Sequence, residues 1–345
     1  MPETMRAAVL PAYKAELELT DMPVPQPQGG EVLIRVRAAG VCHSDLHLIE
    51  GEPPALPRFP WILGHEVAGE VAALGPAASG VNVGDLVAVF GGQGCGACPN
   101  CISGHEQLCT VGAWSGTGVG RPGGYAEYMI APAARHLCPL NGVEPTVAAA
   151  LTDAGLTPYR AVRRALPFLP PDGTAVVIGL GALGQYAVQY LRMFSPARVV
   201  GVDPNEGKRS TALQLGADLS LDAASQPLTD DLDQQSIAGA ASVVVDLVGS
   251  DASLQLASRC IGPRGMLVIV GLGGGTMPVG FLTMQPEMTL TNTYWGTPSE
   301  LVQVLAFQAA GRLHNNITTY PLDQAQQAIA DLEHGEVAGR AVLVP

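Results

Sequence analysis

Asp172-Gly173-Thr174-Ala175-Val176-Val177-Ile178-Gly179-Leu180-Gly181-Ala182-Leu183-Gly184 is the stretch that decides the fold. Asp172 and Gly173 form a turn, the apolar run 175–178 reads as a buried strand, and Gly179, Gly181 and Gly184 open a helix expected over 185–193. The glycines permit a tight turn, close approach of backbone to a pyrophosphate and close packing of helix on strand, while the helix N-terminus attracts phosphate charge. Alone, such a triplet is a weak sign. Here a second apolar strand, over 198–202, ends in Asp203, about 20 residues beyond the last glycine, the distance of a carboxylate that binds adenosine ribose hydroxyls. A carboxylate there repels a 2′-phosphate, so the expected cofactor is NAD rather than NADP. Lys208 and Arg209 follow closely and soften that preference. The competing reading of Asp203 is a turn residue before Pro204.

Towards the carboxyl end, strands expected over 242–248 and 266–271 enclose a helix over 252–259, and this alternation makes a parallel, doubly wound sheet. After Tyr294 the pattern changes to helices over 300–310 and 322–332 and a last strand over 340–344, too little for a third domain. Towards the amino end, 145–151 and 157–165 are helical in composition. Before Pro139 the chain reads as β structure: strands at 6–9, 31–37, 66–73, 85–90 and 123–130, with Gly64, Gly69, Gly75, Gly80 and Gly84 as turns or tight strand approaches. The fold class is therefore α/β. The economical organisation is one discontinuous domain, residues 1–153 and 296–345, with a dinucleotide-binding domain, 154–295, inserted in it.

Hydrophobic residues make up 47% of the 345 and charged residues 14%, which excludes a disordered polyelectrolyte. Eighteen Lys and Arg against 31 Asp and Glu leave a net charge of −13, a field that repels nucleic acid and anionic membrane surfaces. No apolar run approaches the roughly 20 residues of a membrane span, and the amino end lacks a secretory pattern, so a cytoplasmic location is expected. Of seven cysteines, four bunch between Cys95 and Cys109, which argues for a metal site in a reducing compartment rather than a disulfide framework.

Those four, Cys95, Cys98, Cys101 and Cys109, are spaced CxxCxxCx7C among small and turn-forming residues. Four thiolates leave no open place on zinc, so this site should be structural. An iron–sulfur cluster is the alternative, although the fourth cysteine comes late and no proline follows it. A second dense stretch, V-C-H-S-D-L-H at 41–47, is followed by G-H-E at 64–66. Cys42 as thiolate and His65 as neutral imidazole are natural ligands for a catalytic zinc, which needs a third ligand and one open place. Packing is the bland reading of either residue taken alone. Trp114, Tyr294 and Trp295, with Trp61, are candidates for an apolar substrate pocket, against ordinary core. Cys138 and Cys260 read as buried thiols.

With CHSDxH, GHE, the four-cysteine lobe, the glycine triplet and the distant Asp in this order, the sequence resembles the zinc-dependent medium-chain alcohol dehydrogenases over its whole length. The runs L-T-D-A-G-L-T-P-Y (151–159) and T-Y-W-G-T (293–297) bring it nearest the bacterial NAD-dependent secondary-alcohol dehydrogenases. The resemblance implies a GroES-like β-barrel catalytic domain plus a Rossmann domain, with the active site in the cleft between them. It implies two zinc ions per chain, NAD, an alcohol or ketone substrate, and a homodimer or homotetramer. Asp153 falls where the family has its third catalytic-zinc ligand; many relatives have cysteine there, and a harder oxygen donor implies a more Lewis-acidic metal. By the same resemblance Glu66 pairs with a cofactor-binding arginine, Arg340, and Asp45 orients the zinc histidine. Ser44 takes the substrate proton and His47 passes it onward. Leu183 and Val270 join Gly179, Gly181, Gly184, Asp203, Lys208 and Arg340 around the cofactor.

Overall fold

The computed structural model describes residues 2–52, 54–112, 115–225 and 228–345, so Trp114 lies outside the described residues. The chain divides into two compact units, one of residues 1–156 with 295–345 and the other of residues 157–294.

The first unit is built on antiparallel strands. The ten-residue strand Val32–Val41 is its spine, pairing with Glu66–Leu74, with Tyr128–Ala131 and with Arg340–Val344, so the chain's last strand joins the sheet begun by the first segment. Val32, Leu33, Ile34, Val36, Ala38, Ala39 and Val41 are buried and Arg35 is exposed, so most of this strand is covered on both faces. Thr4–Leu10 pairs with Glu18–Pro23 and Trp61–Ile62 in a smaller sheet. Trp61 belongs to this unit's apolar core, its indole N–H donating to the Gly118 carbonyl at 3.0 Å, which corrects its reading as a pocket candidate. The helix Ala325–Glu333 covers the same core with Ala325, Ala328, Ile329 and Leu332, spaced three and four apart as one helical face.

The second unit is a six-stranded, wholly parallel sheet. Its order is Leu219–Leu221, Arg198–Val202, Thr174–Ile178, Ala241–Asp246, Ile261–Ile269, Thr289–Asn292, the doubly wound order of a Rossmann fold. Continuous apolar runs such as Val176-Val177-Ile178 and Val243-Val244-Val245 are what a sheet covered on both faces demands. The strand expected to reach Val248 stops at Asp246, because the Asp246 carboxylate accepts the N–H groups of Val248 (2.9 Å) and Gly249 (3.0 Å) and turns the chain. The helix after the glycine triplet begins at Ala182, earlier than expected, with Gly181 as its N-cap.

Between the units' chain segments, Pro145–Ala150, Leu151–Gly155 and Leu156–Ala165 form one run of helix, its middle piece a π-turn. Sequence composition indicates two separate helices there and gives no sign of the wider turn that carries Asp153.

Candidate active site

Cys42 ends the spine strand's neighbourhood and is the N-cap of the helix His43–Glu50, so the C-H-S-D-L-H run is helical rather than a loop. Its backbone N–H donates to Asp45 Oδ2 at 2.9 Å. A thiol at a helix N-terminus gains from the dipole's positive end. His65 lies in the connection between Trp61–Ile62 and Glu66–Leu74, just after Gly64, whose φ of 94° only glycine adopts easily. Glu66 opens its strand opposite Gly40, and a Cβ on Gly40 would overlap the Glu66 carboxylate. Gly40, two residues before Cys42, thus leaves the space in which Glu66 sits.

These elements converge. Cys42 Sγ is 3.8 Å and His65 Nε2 3.5 Å from Asp153 Oδ2, and the donor atoms of Cys42, His65, Glu66 and Asp153 all lie within 4.8 Å of one another. With zinc–sulfur bonds of about 2.3 Å and zinc–oxygen bonds of about 2.0 Å, tetrahedral ligands stand about 3.5 Å apart. The donor set therefore fits zinc. Charge agrees: one thiolate and one carboxylate with a neutral imidazole balance a dication, while Glu66 stands 3.1 Å from Arg340. Among the described residues, neither Glu66 oxygen finds a hydrogen-bond donor of good geometry, an arrangement that makes sense around a cation.

The electrostatics without metal point the same way. Burial acts to raise the Cys42 thiol, but Arg340 and His65 outweigh it and lower its pKa. Burial acts to lower His65, yet the Asp45 charge and hydrogen bonds to Asp153, Asp45 and Cys42 hold it well above the ordinary histidine value. Burial pushes Glu66 well up, with Asp153 and Cys42 adding to it against the pull of Arg340. A proton on His65 does in part what a metal would do, and metal binding would release it.

Asp45, fully buried, faces His65 Nδ1 at 3.3 Å through Oδ1, while Oδ2 accepts from Cys42 N and from Tyr125 Oη at 2.8 Å. Ser44 Oγ is 3.7 Å from Cys42 Sγ. His47 lies one helical turn on, its Nδ1 2.6 Å from Glu52 Oε2. Arg340 donates from Nη1 to the Val41 carbonyl at 3.0 Å, which fixes it beside Glu66. Trp295, buried, donates its indole N–H to the Thr152 carbonyl at 3.1 Å and stands edge-on to His65 with ring centroids 5.7 Å apart. It belongs to the first unit and Tyr294 to the second.

The four cysteines of the lobe also converge: Cys98 and Cys101 sulfurs are 3.5 Å apart, Cys95 and Cys101 3.9 Å, Cys98 and Cys109 3.9 Å. A zinc tetrahedron of thiolates has edges of about 3.8 Å, and a disulfide would need about 2 Å. Backbone N–H groups of Cys101 and Thr110 lower Cys98 to about 6, whereas lost hydration pushes Cys101 up to about 12. Only a cation lets all four ionise together. Glu106, which sequence reasoning passed over, ties this lobe down: its carboxylate accepts from Gly94 N (3.1 Å) and Arg135 Nε (3.1 Å) and meets His136 Nε2 at 2.9 Å.

In the second unit, Gly179 has a φ of 87°, and a Cβ on Gly184 would overlap the Gly179 carbonyl. A Cβ on Gly181 would meet nothing within 4 Å, so its bare backbone is open to a ligand. That cradle fits a pyrophosphate. Asp203 Oδ2 accepts from Leu180 N and Oδ1 from Asn205 N, each at 2.8 Å, which fixes the carboxylate beside the glycine turn. Leu183 lies in the helix's first turn and Val270 just past the strand Ile261–Ile269. Lys208 is in the first turn of the helix Glu206–Gln214, its N–H capped by Asn205. Arg209 Nη1 donates to the carbonyls of Asp203 and Pro204 and stands 3.4 Å from Asp222, so this cation is tied to backbone.

Residues 28–142 match the family model described as alcohol dehydrogenase GroES-like domain, and residues 182–310 the one described as zinc-binding dehydrogenase. An NAD-dependent alcohol dehydrogenase of Sulfurisphaera tokodaii is 36% identical over 99% of this chain and 100% of its own. Among solved structures, acetophenone reductase from Geotrichum candidum in complex with NAD superposes with a TM-score of 0.88 at 31% identity, covering 100% of this chain and 98% of that one. The alcohol dehydrogenase of Aeropyrum pernix gives 0.91 at 32%, covering 99% and 100%. Identity at this level along nearly the whole of each chain, together with the two family models, exceeds what a shared fold requires: the chain belongs to the zinc-dependent medium-chain alcohol dehydrogenases, as an NAD-dependent enzyme that moves hydride between alcohols and their carbonyl counterparts.

Proposed function

We propose that this enzyme oxidises secondary alcohols of medium size or aromatic character, and reduces the matching ketones, with Cys42, His65 and Asp153 holding a catalytic zinc and Cys95, Cys98, Cys101 and Cys109 a structural one. The observation that carries the proposal is the convergence of three donors from three separate elements, beside a buried indole. Zinc supplies Lewis acidity towards an alcohol or carbonyl oxygen, and NAD supplies the hydride acceptor or donor. The protein does the rest. Asp45 holds His65 in one tautomer and orientation, as metal-binding imidazoles require. Ser44 Oγ takes the alcohol proton, and His47, paired with Glu52, passes it towards water. Glu66 and Arg340 offset each other's charge next to the donors.

Gly179, Gly181 and Gly184 bare the backbone for the dinucleotide pyrophosphate, with Leu183 and Val270 beside it, and Asp203 takes the adenosine ribose hydroxyls. Preference for NAD over NADP follows from that carboxylate together with Arg209, whose Nη1 is held by the Asp203 and Pro204 carbonyls. Trp295, edge-on to His65, offers an apolar surface against which a ring would stack, a reading favoured by the likeness to an acetophenone reductase. The chain would act as a homodimer or homotetramer: Thr289–Asn292 is the outermost strand of its sheet, and Phe281 and Leu282 nearby are 98% and 93% exposed. Seven free cysteines favour the cytoplasm, and among the described residues no helix is long and apolar enough to cross a membrane.

A panel followed by NADH absorbance tests the proposal. 1-Phenylethanol should exceed ethanol and D-arabinose in kcat/KM by at least about tenfold, a difference of about 1.4 kcal/mol in transition-state binding. Equal or reversed preference would remove the secondary-alcohol assignment while leaving the family untouched.

A further inference from the structure

The residue that the relay of roles above leaves unused is Tyr125. It is wholly buried, follows two glycines, and runs its backbone against the segment that leads into His65: Tyr125 N donates to the Leu63 carbonyl at 3.1 Å and Gly124 N to the Gly64 carbonyl at 2.8 Å. The ring lies over Gly64 so closely that a Cβ there would overlap it. Its hydroxyl donates to Asp45 Oδ2 at 2.8 Å. Among the described residues it is the one side chain that donates to that oxygen, the other donor being the backbone N–H of Cys42.

We infer that Tyr125 is a positioning residue for the open metal site, holding the Asp45 carboxylate so that its other oxygen faces His65. The geometry leaves Asp45 three tasks. Oδ2 spans from Cys42 N to Tyr125 Oη, and Oδ1 stands 3.3 Å from His65 Nδ1. With both donors on Oδ2 the carboxylate plane is fixed and Oδ1 has one direction open to it. With only Cys42 N, the carboxylate can turn about its terminal torsion, which is intrinsically broad for Asp. His65 then loses the partner that sets its tautomer and basicity as a ligand. Tyr125 therefore reaches both Cys42 and His65 through a single carboxylate, and its ring fixes the backbone entering His65 as well. The glycine before His65 has a matching explanation: it makes room for this ring.

The inference rests on the reading of Cys42, His65 and Asp153 as metal ligands, and zinc release separates the two. Zinc-loaded wild type and Tyr125→Phe are incubated with a chromogenic chelator, and zinc released per chain is followed with time. Phenylalanine keeps the ring over Gly64, and a melting curve close to that of wild type verifies folding. Removing the carboxylate that supports a metal ligand weakens metal binding by about 10–100-fold, so one step further out the expected effect is at the low end, about tenfold. One of the two zinc ions should leave about tenfold faster, the lobe zinc at the wild-type rate, and in an Asp45→Asn background the substitution should add nothing. Unchanged release, faster release of both ions together, or an equal effect in the Asp45→Asn background overturns the role of Tyr125. A wild-type chain carrying a single zinc overturns the metal reading and this inference with it.

Discussion

Cys95, Cys98, Cys101 and Cys109 come from one short segment built on the helix Pro99–Ile102, while Cys42, His65 and Asp153 come from a helix N-terminus, the approach to a strand and a π-turn far along the chain. The first set is all sulfur, with three of its separations at 3.5–3.9 Å, and four thiolates complete a tetrahedral ion. The second mixes sulfur, nitrogen and oxygen, has Asp45, Glu66 and Arg340 beside it, and in the proposed reading leaves its fourth place to substrate. A closed site needs only short-range chain geometry, because the four donors satisfy the metal by themselves. An open site must have its donors fixed from outside, since a coordination place is deliberately left empty. The surrounding carboxylates and the buried arginine supply that fixing.

The sharpest way to break this contrast is to remove one sulfur from each set. Cys42→Ala should leave one zinc per chain, melt close to wild type, and lose activity on the order of a thousandfold or more, the several kcal/mol that Lewis acidity contributes. Cys98→Ser should also leave one zinc, but with the opposite profile: unfolding falls by several degrees, about 2–4 °C for each kcal/mol lost in domains of 150–250 residues, while the remaining zinc site keeps most of its turnover. Zinc content, melting temperature and kcat for the two variants decide it. If Cys98→Ser abolished activity as completely as Cys42→Ala, the lobe would have a part in the chemistry that its closed geometry does not provide.

The same contrast explains what could be read in the letters. The lobe was legible because its spacing is its geometry, and the glycine turn with Asp203 because a strand–turn–helix places them by short-range rules. Cys42 and His65 could be singled out as donors, yet nothing local revealed that Cys42 caps a helix or that Asp153 rides on a π-turn, because those depend on packing from distant segments. Tyr125 and Glu106 were passed over, and Arg209 was read only as a cation softening the preference for NAD, for a related reason. Each acts on a functional group through one hydrogen-bonded neighbour brought there by the fold: Asp45, the Gly94 loop, the Asp203 backbone. The signals lay in plain view only as small residues, Gly40 and Gly64, whose missing side chains leave space for Glu66 and for the Tyr125 ring.

A smaller effect tests the oxygen donor. Asp153→Cys should keep two zinc ions and remain active, since thiolate and carboxylate carry the same charge. A softer sulfur donates more charge to the metal, so the kinetic pKa of alcohol oxidation should move upward relative to wild type, and activity below that pKa should fall while the plateau above it is preserved. The pH dependence of hydride transfer with deuterated alcohol reads this directly. An unchanged pKa would mean that the oxygen at Asp153 does not tune the site, and the open set would then differ from the lobe in vacancy alone.

The mildest perturbation is to take the metal away and count thiols. Burial pushes Cys138 and Cys260 up to about 12, so at pH 8 only about one in 10⁴ of each is thiolate, and an aromatic disulfide reagent should not register them until the chain unfolds. The lobe differs: although lost hydration pushes Cys101 as high, Cys95 is exposed and all four sulfurs lie on one short segment that should open as a unit once its zinc is chelated. They should titrate together in a fast phase. Cys42, buried and held by three elements, should follow separately and more slowly even though Arg340 and His65 favour its thiolate. Five thiols in two phases, four then one, with two silent, is the pattern that a local closed site and a fold-dependent open site must produce. A single phase of five would show that removing metal loosens both sites alike, and the distinction between them would then belong to the metal and not to the protein around it.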